Sequence, residues 1–200
     1  MSARIAVVYY SATGNVHQLA ESLAEGARSV GAEVRMRRVP EIAPAEAIAA
    51  NPAWQAHHEA VSEHVEEAKV ADLEWCNGYA LGSPTRYGNV AAQLKQFIDS
   101  TGPLWAAGKL AGKVATSFSS AQNEHGGLET TILALNNTFY HWGSIIVPPG
   151  YTDEKVFSAG GNPYGTGYPS GGAGGAVDEA HLAGAHYQGT RLAEYAQRLG

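Results

Sequence analysis

The sequence predicts an α/β fold: a five-stranded parallel, doubly wound sheet between two helical layers, in one domain spanning residues 1–200. Three observations lead there. Short apolar segments rich in β-branched residues alternate with segments of helical period along the whole chain. The first strand candidate, Arg4–Tyr10, is apolar without alternation, as a strand covered on both faces should be. Polar turn clusters follow the first, third and fourth strand candidates, at the carboxyl ends where such sheets bind ligands.

Arg4–Tyr10 runs into Ser11-Ala12-Thr13-Gly14-Asn15, a turn-forming cluster. A helical stripe follows at Leu19, Leu23, Ala27 and Val30, with Gly31 as its C-terminal stop. Glu33–Val39 alternates around Val34, Met36 and Val39 and closes at Pro40. Glu41 to Trp75 is rich in Ala and Glu and carries Pro44 and Pro52, which predicts short helices and connections. Tyr79–Gly82 reads as a short buried strand, and Val90, Leu94, Phe97 and Ile98 mark an amphipathic helix. Lys113–Phe118 is the fourth strand. Leu128, Ile132, Leu135 and Phe139 recur at helical spacing. Ser144–Val147 is the fifth strand, stopped by Pro148-Pro149. The last helix spans about Asp178 to Leu199, with Asp178 as N-cap and Leu182, Leu192 and Leu199 facing inward. Gly160–Gly175 is glycine-rich, which by composition alone suits a flexible linker. Its Pro163, Tyr164, Tyr168 and Pro169 instead suggest a folded loop near the site or an interface.

Composition removes several function classes. Apolar residues make up 44% of the chain, an ordinary globular value. The formal charge of −6 and the lack of any Lys/Arg-rich stretch argue against nucleic-acid binding, which needs a basic footprint. No apolar run reaches membrane-spanning length. The single cysteine, Cys76, excludes an internal disulfide and reads as a buried small hydrophobe, so a cytoplasmic location is expected. His57, His58, Glu63 and His64 match no ligand spacing, and no metal is expected.

Ser11–Val16 has the make-up of a phosphate cradle. A helix N-terminus offers free N–H groups and a favourable dipole, Gly14 allows close backbone approach, and Ser11, Thr13 and Asn15 add polar groups. The loop lacks the lysine of a nucleoside-triphosphate loop and the three glycines of a dinucleotide turn. A plain N-cap turn is the alternative for this segment alone. Ser83-Pro84-Thr85-Arg86-Tyr87-Gly88-Asn89 could meet the edge of a flat heterocycle, with Arg86 placing positive charge beside it. A generic loop with a solvated arginine is the competing reading there. The third cluster is Ser119–Gly127.

Seven runs carry a resemblance to a known family: Val8–Ser11, Gly82–Asn89, Thr101–Trp105, Phe118–Ser120, Ile146–Tyr151, Gly161–Gly165 and Tyr187–Gly189. Together they resemble the WrbA family of NAD(P)H:quinone oxidoreductases, collinear from about Ile5 to Gly200. The resemblance implies a flavodoxin-like fold, bound FMN, NADH or NADPH as donor, two-electron quinone reduction and a homotetramer. It implies that Ser11, Ala12, Thr13, Gly14, Asn15 and Val16 hold the FMN phosphate. Pro84, Thr85, Arg86, Tyr87, Gly88 and Asn89 would meet the flavin ring. Ser119, Ser120, Ala121, Gln122, Asn123 and Gly126 would continue the ring and ribityl contacts. His141 matches a histidine that approaches the flavin, the one catalytic candidate, and Trp105 a tryptophan lining the substrate side, the two reaching one flavin from different subunits. The chain departs from the family at Thr13, where an aromatic is common, and in Ala121–Gly127, which is one residue longer. With one flavin site and no separate nicotinamide fingerprint, ping-pong kinetics are expected. A flavodoxin-type electron carrier and a flavin-bearing protein-interaction regulator are the alternatives.

Overall fold

In the computed structural model, which describes residues 2–172 and 175–199, alternate residues of the first strand serve opposite cores. Ile5, Val7 and Tyr9 of β1 (Arg4–Tyr9) pack beneath α1 (Asn15–Ser29) and α9 (Glu179–Leu199), with Leu19, Leu23, Ala185 and Leu192. Ala6, Val8 and Tyr10 face the other layer. There they meet Leu73 of α4 (Val70–Trp75), Leu94 and Phe97 of α5 (Ala92–Ser100), and Leu135 and Phe139 of α7 (Leu128–Trp142). Side chains alternate across a strand, so a strand between two helical layers is buried on both faces and here apolar from Ile5 to Tyr9.

The sheet runs β2 (Glu33–Arg38), β1, β3 (Gly78–Arg86), β5 (Val114–Ala121), β6 (Ile145–Ile146), with every neighbouring pair parallel. These are the five strands expected. The order reverses between β1 and β3, and that switch point leaves a crevice beyond the carboxyl ends.

Two short strands extend this core. β4 (Asn89–Val90) folds back antiparallel on β3, and β7 (Gly167–Pro169) lies parallel to the end of β5. Both lengthen their partners beyond the sequence-based bounds. β3 continues past Gly82 to Arg86, and β5 past Phe118 to Ala121, because each extension has strand partners to satisfy its amides. Val90 therefore belongs to a hairpin and not to the helix that follows. β6 keeps only Ile145–Ile146, since β5 pairs with it at two residues. Glu41–Trp75 holds α2 (Ala45–Ala49), α3 (Pro52–His64) and α4, Thr101–Trp105 contributes a five-residue helix, α6 (Gly102–Ala106), and α8 (Glu154–Ser158) follows β6. Leu199 is 56% exposed and does not face inward, while Leu192 is fully buried.

The C-terminal helix is fitted to the first by two glycines. A Cβ on Gly189 would lie 1.9 Å from the Leu23 carbonyl oxygen, and one on Gly26 would lie 1.9 Å from that of His186. The backbones of α1 and α9 are therefore in direct contact at both crossings. Gln188, next to the contact, is buried and donates to Thr116 Oγ1 at 2.7 Å and to the Ser117 carbonyl at 2.9 Å. Its Oε1 accepts from the amide and hydroxyl of Thr166, both at 2.8 Å. That clamp holds the start of β7 against β5. The glycine-rich stretch is thus folded structure over its described part; Ala173 and Gly174 lie outside the described residues. Asp178 accepts from the His181 amide at 2.9 Å, as its N-cap placement requires.

Candidate active site

Three segments converge at the switch point. The first is Ser11–Val16. Gly14 adopts φ 99 and ψ −18 at the N-cap of α1, where no side chain caps the helix. The first-turn amides of α1 therefore point outward without intrahelical partners, as at any helix start. Ser11 Oγ accepts from the Gly14 amide at 3.1 Å and sets the turn. Asn15 Nδ2 and Gln18 Nε2 both donate to the Gly175 carbonyl, at 3.2 and 2.9 Å, tying the end of the glycine-rich stretch to the helix start.

The second segment is the end of β3 and its hairpin. Thr85 pairs with Val90 and Arg86 with Asn89, leaving Tyr87-Gly88 as a two-residue turn with φ 55 and 77. Positive φ at both central residues matches the twist of the flanking strands. Glycine takes it freely; Tyr87, the one non-glycine residue with positive φ among the described residues, is held there by the pairing on either side. Thr85 Oγ1 accepts from the Gly88 amide at 3.1 Å and from Thr131 Oγ1 at 3.0 Å, and Ser83 Oγ accepts from the Ala91 amide at 2.9 Å. The third segment, Ser120–Gly126, leaves β5 beside Ser170, whose amide donates to the Ala121 carbonyl at 2.8 Å.

Between these segments lies a cleft of about 510 Å³. It is lined by Ser11, Ala12, Thr13, Asn15, Val16, Pro84, Thr85, Arg86, Tyr87, Ser120, Ala121, Gln122, Asn123 and Gly126, all expected from the sequence. Gly14, at the helix cap between Thr13 and Asn15, and Gly88, Asn89 and Ser119, in the hairpin and in β5, adjoin lining residues without lining the cleft themselves. Four lining residues escaped the sequence reading: Asn51 and Trp54 at the start of α3, and Ser170 and Gly172 after β7. The Asn51-Pro52 cap signature marked a helix there, but nothing in its spacing marked a ligand site.

A second cleft, about 530 Å³, lies beyond the third segment and includes Glu124, His125, Glu129 and His181. Size does not separate the two; charge does. Arg86 is the one charged side chain among the described residues lining the first cleft, whereas two carboxylates line the second. An anionic ligand is favoured beside open helix amides and an arginine, and disfavoured beside carboxylates. Histidines add no cation to the cradle at neutral pH. His57, next to Gly14, has its pKa lowered to about 4 by burial and then by His17 and His58, and burial lowers His17 as well. What the first cleft offers an anion is therefore backbone amides, hydroxyls and Arg86. Among the described residues no group of three or more His, Cys, Asp or Glu side chains is placed to hold a metal, and no helix is long and apolar enough to cross a membrane.

His141 and Trp105 are brought together, but away from this cleft. The Trp105 indole donates to the His141 carbonyl at 2.9 Å. Both sit near Gly143, at the far end of the 15-residue helix α7, roughly 20 Å along it from the third segment. Trp105 is 57% exposed there. Within one chain neither side chain touches the cleft.

Comparison with known proteins gives the family and agrees with the fold. The family described as NADPH-dependent FMN reductase matches residues 3–155. The chain is 48% identical over 162 residues to an NAD(P)H dehydrogenase (quinone) of Deinococcus radiodurans, covering 81% of this chain and 80% of that one. It is 40% identical over 202 residues to the protein of the same description from Sinorhizobium fredii, covering 98% of each. Among solved structures, a flavodoxin, WrbA-like protein from Agrobacterium tumefaciens superposes with a TM-score of 0.70 at 22% identity, covering 100% of both chains. A flavodoxin from the domain Archaea gives 0.64 at 17% identity, covering 97% of this chain and 99% of that one. At such identities the structural likeness speaks to the fold alone.

Proposed function

The chain belongs to the NADPH-dependent FMN reductase family, and from that membership we propose that it is an FMN-dependent NAD(P)H dehydrogenase that reduces quinones to hydroquinones. The observation that carries the reading is the cleft itself, where uncapped helix amides, a rigid hairpin and Arg86 face one volume of about 510 Å³. That volume lies within the usual range for a cofactor pocket, and the cradle takes one phosphate. FMN, when bound, accepts a hydride from the nicotinamide and returns two electrons to the quinone, which also takes up two protons. The protein's share is placement. Amides of the Ser11–Val16 turn bind the phosphate, the strand ends hold the ring, and Arg86 favours negative charge beside it.

Donor and quinone share one cleft in this reading, so the oxidised nicotinamide leaves before the quinone enters. Steady-state rates should give parallel double-reciprocal lines for NAD(P)H and a benzoquinone. The purified protein should bind one FMN per chain and bind riboflavin much more weakly. Equal affinity for the two flavins would remove the phosphate cradle from the reading, and lines that intersect would remove the ping-pong order.

We further propose a cytoplasmic, single-domain enzyme that works as a homotetramer, with His141 and Trp105 of different subunits completing one flavin site. Their distance from the cleft of their own chain and the exposure of Trp105, Tyr140 and Ile145 nearby support that assembly. A neighbour's aromatic side chain would exclude water from the ring and favour an apolar acceptor. Light scattering of the FMN-loaded protein should give about four times the 21.0 kDa chain mass. A monomer with full activity at every concentration would exclude the shared site.

A further inference from the structure

Two aromatic side chains line the cleft, Tyr87 and Trp54, and they differ in how firmly they are held. Tyr87 stands at the hairpin tip, wholly in solvent at 102% relative exposure. Trp54 is half-buried in the first turn of α3, and its indole Nε1 donates to Glu41 Oε2 at 3.1 Å.

Glu41 is itself fixed from several directions. It accepts from the Tyr10 hydroxyl at 2.8 Å, from Gln93 Nε2 at 2.6 Å, and from the amides of Ile42 and Ala43, both at 2.9 Å. Burial raises the Glu41 pKa, but hydrogen bonds from Gln93, Ala43, Tyr10 and Ile42 outweigh it and hold the carboxyl below its usual range. The carboxylate stays ionised at neutral pH and its donors stay oriented. The start of α3 is set independently: Asn51 Oδ1 accepts from the amides of Ala53 and Trp54 at 3.1 and 3.2 Å, and Pro52 occupies the first turn. Trp54 is thus an indole pinned at its polar edge and placed by a capped helix, in a cleft whose other lining residues are mostly small or polar. Pinning before a ligand arrives removes most of the ordering cost of using it.

We propose that Trp54 is a specificity-determining residue for the acceptor: its indole packs against flat, fused-ring quinones in the cleft. This rests on the quinone-reductase reading above. A second fused ring adds area that an indole can cover and a π-face it can meet offset or edge-on. The acceptor class follows: two-ring quinones bind better than one-ring quinones.

The test uses the FMN-loaded full chain without any donor, titrated with 1,4-naphthoquinone and with 1,4-benzoquinone, binding being read from the flavin absorbance. Trp54→Ala is expected to weaken naphthoquinone about tenfold and benzoquinone about threefold or less, the size of one lost aromatic contact. Trp54→Phe, which keeps a ring without the Glu41 bond, should recover most of that loss. In steady state the same variants should raise the naphthoquinone KM with kcat little changed, and FMN affinity should stay within about threefold of wild type. Circular dichroism of each variant checks that it folds; if the alanine form does not, the phenylalanine form and Trp54→Leu carry the comparison of the two quinones. Equal weakening of both quinones, or no weakening, overturns the proposal while leaving the flavin reading intact. A loss of FMN affinity that exceeds the loss for naphthoquinone also overturns it, since the indole would then serve the cofactor. A wild-type protein that binds no FMN ends both readings together.

Discussion

Gly189→Ala should lower the melting temperature by about 10 °C or prevent folding, although it adds one methyl group to a helix. The methyl would lie 1.9 Å from the Leu23 carbonyl oxygen and 2.7 Å from its carbon, both backbone atoms that cannot rotate away. α9 must then move off α1, and the movement propagates to Leu192 and Ala193 in the same core and to the Gln188 clamp. Overpacking costs about 1–3 kcal/mol where side chains can adjust, and more where backbone must shift. Against a stability of about 5–15 kcal/mol that is a large fraction, and each kcal/mol is worth about 2–4 °C in a chain of this length. Alanine is the better helix former, so propensity alone predicts the opposite sign. Gly102→Ala, at a helical glycine with nothing but its chain neighbours within 4 Å, should lower the melting temperature far less. Thermal unfolding followed by circular dichroism decides; equal melting for wild type and Gly189→Ala would refute backbone contact between the helices.

Gly14→Val should abolish FMN binding at micromolar cofactor, a loss of about a hundredfold or more. Gly14 has φ 99, a conformation that costs other residues about 1–2 kcal/mol and β-branched ones more. The new Cβ would lie in ordinary contact with His57 Nδ1 at 3.5 Å, so it is the backbone strain that displaces the turn and its amides. Strain and loss of function are separable through Gly31→Val. Gly31 has φ 84 and nothing within 4 Å of its Cβ, far from the cleft at the other end of α1. Both variants should melt lower, but only Gly14→Val should lose FMN, and its affinity for riboflavin should fall far less. Equal flavin loss in both would mean that stability, and not the amide cradle, governs binding. Isothermal titration with FMN and with riboflavin supplies both comparisons.

The central strands β1, β3 and β5 were legible because each is buried on both faces, and a short unbroken apolar run such as Ile5–Tyr10 suits few structures besides a doubly covered strand. The first loop was legible because a strand, a polar turn with glycine and a helix are adjacent in sequence, so its cap geometry is local. The limits of β3 and β5 were not, since Ser83–Arg86 and Ser119–Ala121 are strand through pairing with each other and with the remote β4 and β7. Trp54 and Glu41 were missed for a related reason. α3 has no buried residue and so shows no periodic stripe, and the Glu41 carboxylate gathers donors from positions 10, 42, 43, 54 and 93.

What the sequence by itself determined is whatever local periodicity and neighbouring residues encode: the α/β alternation, five parallel strands, and three polar segments placed at their carboxyl ends. It also determined that Cys76 would be buried and that Asp178 would cap the last helix. Tertiary structure alone decided which cleft could take an anion, because two clefts of similar size differ in charges drawn from distant segments. It decided that His141 and Trp105 stand at the far end of α7 from the cleft of their own chain, a separation set by the length of a helix. It decided, too, that Gly26 and Gly189 are contact residues, since a glycine's need for space is invisible until a second backbone comes within reach of it. Periodicity reports which face of an element is buried; only the packed chain reports what lies against that face, because contacts between remote segments leave no period in the sequence.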